Sequence, residues 1–141
     1  LEDANAMLFD TPVVGTEVYK STDGGKSWAK THDGFLDGIY YSYGYYFGKI
    51  HVDPNNKDGI YIYGVPILKS KDGGKTFQSI SANNVHADHH ALWINPKKPG
   101  HLINGNDGGV NISYDDGENW IKNNQPAVGD YKHLTLQTNK Q

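Results

Sequence analysis

The eight residues Ser21-Thr22-Asp23-Gly24-Gly25-Lys26-Ser27-Trp28 (STDGGKSW) end in the Gly-Lys-Ser of a phosphate-binding loop. Nearly the same phrase returns at Ser70-Lys71-Asp72-Gly73-Gly74-Lys75-Thr76-Phe77. A true phosphate-binding loop needs a further glycine five residues upstream, so that a run of backbone N–H groups can cradle the anion. Those places hold Lys20 and Lys69. Neither copy is such a loop, and a phrase that repeats yet fails the motif points to architecture.

A third copy, Ser113-Tyr114-Asp115-Asp116-Gly117-Glu118-Asn119-Trp120, completes the pattern Ser-x-Asp-x-Gly-x-x-aromatic. A second phrase repeats in the same register, IHVDPNNKDGIYIYG over Ile50–Gly64 and LWINPKKPGHLINGN over Leu92–Asn106. A period of about 40 to 50 residues with several short strands per unit is the signature of a β-propeller blade. Each unit reads as a strand before Asp-Pro or Asn-Pro and a second around Ile60–Tyr63 or His101–Asn104. A third ends at the box serine, and a fourth begins at the closing aromatic. Tyr61 and Tyr63 alternate on the second strand and read as packing, and the DPNNKDG run as a hairpin turn.

The box makes sense as a turn. Asp23, Asp72 and Asp115 are expected to accept backbone N–H groups two residues on, as in an Asx turn. Gly25, Gly74 and Gly117 are placed where φ is positive, and Ser21, Ser70 and Ser113 add a second local bond. Trp28, Phe77 and Trp120 pack beneath, while Lys26 and Lys75 face solvent.

These phrases resemble Asp-box (BNR) repeats, found in sialidases, sortilin-type propellers and xyloglucanase-like glycoside hydrolases. The run from Val85 to Trp120 resembles the sortilin-like and glycosyl-hydrolase-like propellers of bacterial envelopes. The resemblance covers roughly residues 17–136. Phe77 stands where tryptophan is usual, and Asp116 and Asn119 stand where glycine and a hydroxyl residue are usual. The expected fold is therefore all-β. It is a β-propeller segment with two whole four-stranded antiparallel blades, 40–80 and 81–122, plus partial blades at each end. Residues 1–39 supply outer strands and a connecting loop of a preceding blade, and 123–141 the first strand of a following one. Rings close with about four to eight blades. The remaining blades, in the same or other chains, are thus the first expected partners, and the chain is expected to be part of something longer.

Composition agrees with one globular unit. Of 141 residues, 36% are apolar, and 17 are glycine against a single methionine, which favours turns and strands. The net charge of −3, with no basic run, provides no footprint for nucleic acid. No apolar run approaches the roughly 20 residues that span a bilayer. The absence of cysteine excludes disulfides and thiolate metal sites. The resemblance implies an extracellular or bacterial-envelope protein.

In such a blade the boxes lie at one end, and the family's binding site lies at the other. Gly44–Gly48 (GYYFG) aligns with His86–His90 (HADHH), both leading into an innermost strand, and His133 aligns with His90 one unit later. The candidate ligand-binding residues are Tyr45, Tyr46, His86, Asp88, His89, His90, Asn106 and Asp107. They are read as stacking on and hydrogen-bonding a glycan or polypeptide, with Trp93 weighed as either a stacking platform or interface packing. Two other readings compete. His86, Asp88 and His90, at alternate positions of an extended strand, have metal-ligand chemistry but no recognised spacing, so no metal or cofactor is assigned. Alternatively the cluster is a hydrogen-bonded plug between inner strands.

Glycoside hydrolysis requires two carboxylates about 5 to 10 Å apart across the scissile bond. Asp88 and Asp107 are the only acids placed at the functional end, and blades outside this chain would have to complete the site. A sialidase site is excluded in this chain, since it contains no arginine. The expectation is a binding or interaction module, with hydrolysis as the alternative.

Overall fold

The computed structural model describes residues 15–41, 44 and 46–123. Tyr45 and the 124–141 segment with His133 lie outside the described residues. Those described are all-β, in three antiparallel sheets of two, four and four strands. The first sheet pairs β1 (Tyr19–Lys20) with β2 (Ala29–Lys30). The second is the meander β3 (Lys49–Asp53), β4 (Asn56–Tyr63), β5 (Ile67–Ser70) and β6 (Gln78–Ser79). The third repeats it with β7 (His89–Ile94), β8 (Leu102–Asn106), β9 (Gly109–Ser113) and β10 (Ile121–Asn123). We call the three repeats the first, second and third units. Among the described residues no helix is long and apolar enough to cross a membrane.

The run Ile60-Tyr61-Ile62-Tyr63 explains how the units stack. Side chains alternate across a strand, and here both faces are covered, since none of the four exceeds 5% exposure. Ile60 and Ile62 cluster with Val18 and Ile39 of the first unit. Tyr61, Tyr63 and Ile67 cluster with Leu92, Ile94, Leu102 and Trp120 of the third. Burying each such side chain contributes about 1.5–3 kcal/mol, so the middle unit is held mainly by its neighbours. Main-chain bonds tie the same joints: Val65 donates to Ile39 at 2.7 Å, Asp88 to Val65 at 3.0 Å and His89 to Gly64 at 2.7 Å.

The three boxes are closely alike. The N–H groups of Gly25, Gly74 and Gly117 each donate to the box serine Oγ at 2.8 Å. The serine hydroxyl donates in turn to the aspartate Oδ1, at 2.8, 2.8 and 2.9 Å. Oδ1 also accepts the N–H four residues on, from Ser27, Thr76 and Asn119. The side chains of those residues bond Oδ2. The expected two-residue Asx bond is thus corrected: the serine takes the glycine N–H, and the carboxylate reaches further along the turn. Asn119 fills the hydroxyl place with its amide. The glycines have φ of 88°, 91° and 88°, where side chains strain. The aromatics diverge: Trp120 is buried and Phe77 packs on the first unit, but Trp28 is 63% exposed.

Candidate functional site

The box turns join β5 to β6 and β9 to β10. In these meanders the lead-ins to β3 and β7 and the β8–β9 turn therefore fall at the opposite end. There the second and third units meet around His90. Its Nε2 lies 2.6 Å from Asp107 Oδ1 on the β8–β9 turn. The Tyr46 ring is 5.5 Å away, edge-on, and the Phe47 ring 5.8 Å away. Lys49 Nζ donates to the His90 carbonyl at 2.5 Å.

A bulge makes this placement possible. His89 pairs with Asn106 and Ala91 with Gly105, so one residue is extra in β7. His89 turns inward, 1% exposed, while His90 reaches outward to Asp107. Asp88 before it has φ 61°, which ends the extended backbone. The expected run of His86, Asp88 and His90 along one strand face is therefore not formed. Among the described residues no three His, Asp or Glu side chains gather into a metal-binding group.

The candidates divide into two groups. Tyr46, His90 and Asp107 come together at the open end, with side chains of His90 and Asp107 35% and 53% exposed. His86 backs the same turn, packed so closely on Gly108 that a Cβ there would lie 2.4 Å from its own. His89 and Asn106 are interior. His89 Nδ1 lies 2.8 Å from Asn104 Oδ1, and Asn106 Nδ2 donates to Asn104 and Asn111. Burial pulls the His89 imidazole below its ordinary value, which keeps it neutral. Asp88 straps the turn through its backbone, its carbonyl accepting from Asp107 N–H at 3.3 Å.

Trp93 is not at this end. It pairs with Ile103 on the outer face of the third sheet, 47% exposed, edge-on to His101. Phe47, Lys49, Asn104 and Asn111 were missed as members. Phe47 stood within the aligned GYYFG run, and the inward alternation of Leu102, Asn104 and Asn106 was the signal for the amide network. His51 and His32, without evident partners in the sequence, have them here: His51 meets the Tyr63 hydroxyl, and His32 accepts the Val18 N–H.

Chemically, the Asp107 carboxylate fixes Nε2 of His90 as the protonated nitrogen. Nδ1 is left without a hydrogen-bond partner among the described residues, so it can accept from a hydroxyl or amide. Gly38, Tyr41, Val65, Pro66, Val85 and Ala87 border a cleft of about 190 Å³, whose lining does not include His90. That is smaller than the roughly 300–1,000 Å³ typical of small-molecule pockets. Compared with known protein families and with curated proteins, the chain matches none.

Proposed function

We propose that this chain is a segment of an Asp-box β-propeller from an extracellular or bacterial-envelope protein. In this reading it binds a glycan or polypeptide at the end opposite its boxes. Two stacked four-stranded meanders whose clasps share one hydrogen-bond pattern support the propeller reading. The observation that carries the binding reading is the His90–Asp107 pair. It is oriented, open to solvent, and flanked by aromatic rings supplied by the neighbouring unit. A polar pair beside aromatic faces is the chemistry that grips sugars and peptide side chains.

Binding is favoured over hydrolysis because the Asp107 carboxylate is engaged in holding His90, which suits a positioning role. The test is a glycan and peptide array probed with the protein, followed by His90→Ala and Asp107→Asn on any hit. Both variants are expected to weaken binding at least tenfold. Turnover of the hit that vanishes in Asp107→Asn while binding survives would instead establish the hydrolase. Unchanged binding in both variants would remove the site.

A further inference from the structure

Each joint between units is built the same way. The closing aromatic of one box enters the preceding unit: Phe77 packs on the first unit, edge-on to His32 at 6.0 Å. Trp120 packs on the second unit and donates its Nε1 proton to the Ile80 carbonyl at 2.8 Å. The third box residue to settle is the glycine. A Cβ on Gly74 would meet Thr31 Oγ1 at 2.7 Å, and one on Gly117 would meet Ile80 Cδ1 at 2.7 Å.

The face that receives a box has a cross-strand row. In the second unit it is His51–Tyr61–Lys69–Gln78. Lys69 and Tyr61 there both engage the carboxylate of Asp116, from the incoming third box. At the earlier joint the incoming box has Gly73 in that place, and Lys20, the counterpart of Lys69, turns to Asp58 at 3.8 Å instead. The corresponding row of the third unit is Trp93–Ile103–Ile112–Ile121. Ile112 replaces the lysine. Among the described residues no hydrophobic cluster includes this row, whose ends Trp93 and Ile121 are 47% and 59% exposed.

The first box is the matching open half. Trp28 is 63% exposed, its Nε1 turned back to Gly25. Among the described residues, a Cβ on Gly25 would meet only Trp28 itself, at 3.9 Å, and one on Gly24 would meet nothing within 4 Å, where Asp116 has its carboxylate. A box with glycine there fits a face without lysine, since no carboxylate is left unpaired.

We infer that two copies of this chain associate head to tail, the first box of one seated on the Trp93–Ile103–Ile112–Ile121 row of the other. A heterologous contact of this kind either closes a ring or propagates. The inference shares with the propeller reading only the stacking of units, and it does not depend on the ligand site.

The test is sedimentation equilibrium of the full chain over a concentration series, with circular dichroism and melting to confirm folding of each variant. Ile112→Lys is expected to weaken association about tenfold or more, because it buries an unpaired ammonium. Gly24→Asp alone is expected to weaken it too. The double variant is expected to restore it by rebuilding, across the copies, the pair that Lys69 makes with Asp116. Asp116 holds the same left-handed backbone, with φ 68° beside 72° for Gly24, so the graft has a precedent. A chain that stays monomeric throughout would overturn the inference and leave the face to a different partner, with the ligand reading untouched. Association lost in Ile112→Lys but indifferent to Gly24→Asp would overturn it in favour of two third-unit faces meeting each other.

Discussion

Lys69, 5% exposed, ends on the carboxylate of Asp116, which the third unit supplies. Asp116 accepts the Tyr61 hydroxyl as well, and the ammonium stands 5.3 Å from the Tyr61 ring. Burial, and then the neighbouring Lys71 charge, pull the lysine down to about 8, with Asp53 and Glu118 opposing that pull. Desolvation of both partners limits what such a pair adds, but losing one partner strands the other. Asp116→Gly, which would make the third box like the first two, is therefore expected to destabilise the chain. With Asp116 a third exposed, the loss should be about 2 kcal/mol, below the 3–5 kcal/mol of a fully buried pair. Adding Lys69→Met should recover most of it, as urea unfolding of the two singles and the double would show.

The clasp and the stacked meanders were legible because both are local. A Ser-x-Asp-x-Gly-x-x-aromatic phrase bonds almost wholly within itself, so three copies in sequence became three copies in space. Tyr61 and Tyr63 were legible as packing residues of the second strand, and both are buried; that Ile60 and Ile62 are covered on the other face came from the structure. The candidate site was half legible. Aligning GYYFG with HADHH brought Tyr46 and His90 to one place, but the bulge at His89 could not be read from the pattern. An extra residue shifts the alternation by one place, but two adjacent histidines offer no apolar–polar contrast to show the slip, and it decided which of them is buried and which is offered to solvent. Trp93, weighed as a stacking platform or as interface packing, stands on the outer face of its sheet, because its neighbours Leu92 and Ile94 face the second unit and alternation sends it the other way. The role of Lys69 was not legible, since its partner lies 47 residues away in sequence.

At Gly64 the second unit lies tightly against the first. A Cβ there would lie 2.4 Å from the Ile39 carbonyl oxygen and 3.0 Å from Phe47 Cβ. The oxygen is backbone, it is bonded by Val65 N–H at 2.7 Å, and it cannot swing aside as a flexible side chain would. Gly64→Ala is expected to cost about 1–3 kcal/mol as overpacking. Because Phe47 also borders His90, the same variant should perturb the His90 ring resonances in an NMR spectrum. A neutral melt and an unchanged spectrum would show that the joint yields more than its geometry allows.

His89 links the interior to pH. Burial lowers its folded pKa, with the Asn104 bond and Asp88 opposing and the neighbouring His90 and His86 adding to the fall. His51 is lowered as well, by burial and then by Lys49. Protons therefore bind the unfolded chain first as pH falls below about 6.5, the ordinary histidine value. The sign follows: stability is full above that pH and declines as pH falls towards the folded values. The urea midpoint should drop between pH 7.5 and 5.5 in the parent, and drop less in His89→Gln. An equal slope in both would place the acid sensitivity elsewhere.

The box carboxylates act in a lower window. Asp23 is held at about 2, first by the Ser27 hydroxyl and then by the Ser27 N–H and Ser21. Thr76 and its N–H hold Asp72 low, and the Asn119 amide and N–H hold Asp115 low. All three are depressed, so their contribution is present above the unfolded aspartate value of about 3.9. It is lost as pH falls through the folded values. Asp72→Asn should lower the melting temperature at pH 7, because a carboxamide offers one acceptor oxygen where the turn uses two. The gap between variant and parent should narrow steadily below pH 4 as the parent carboxylate takes up its proton. Ser27→Ala should raise the Asp23 pKa in a carbon-detected NMR titration, since it removes the largest of the bonds that hold it down. A gap that stays constant to pH 2 would mean that the clasp depends on shape and not on charge, and that its hydrogen bonds survive protonation intact.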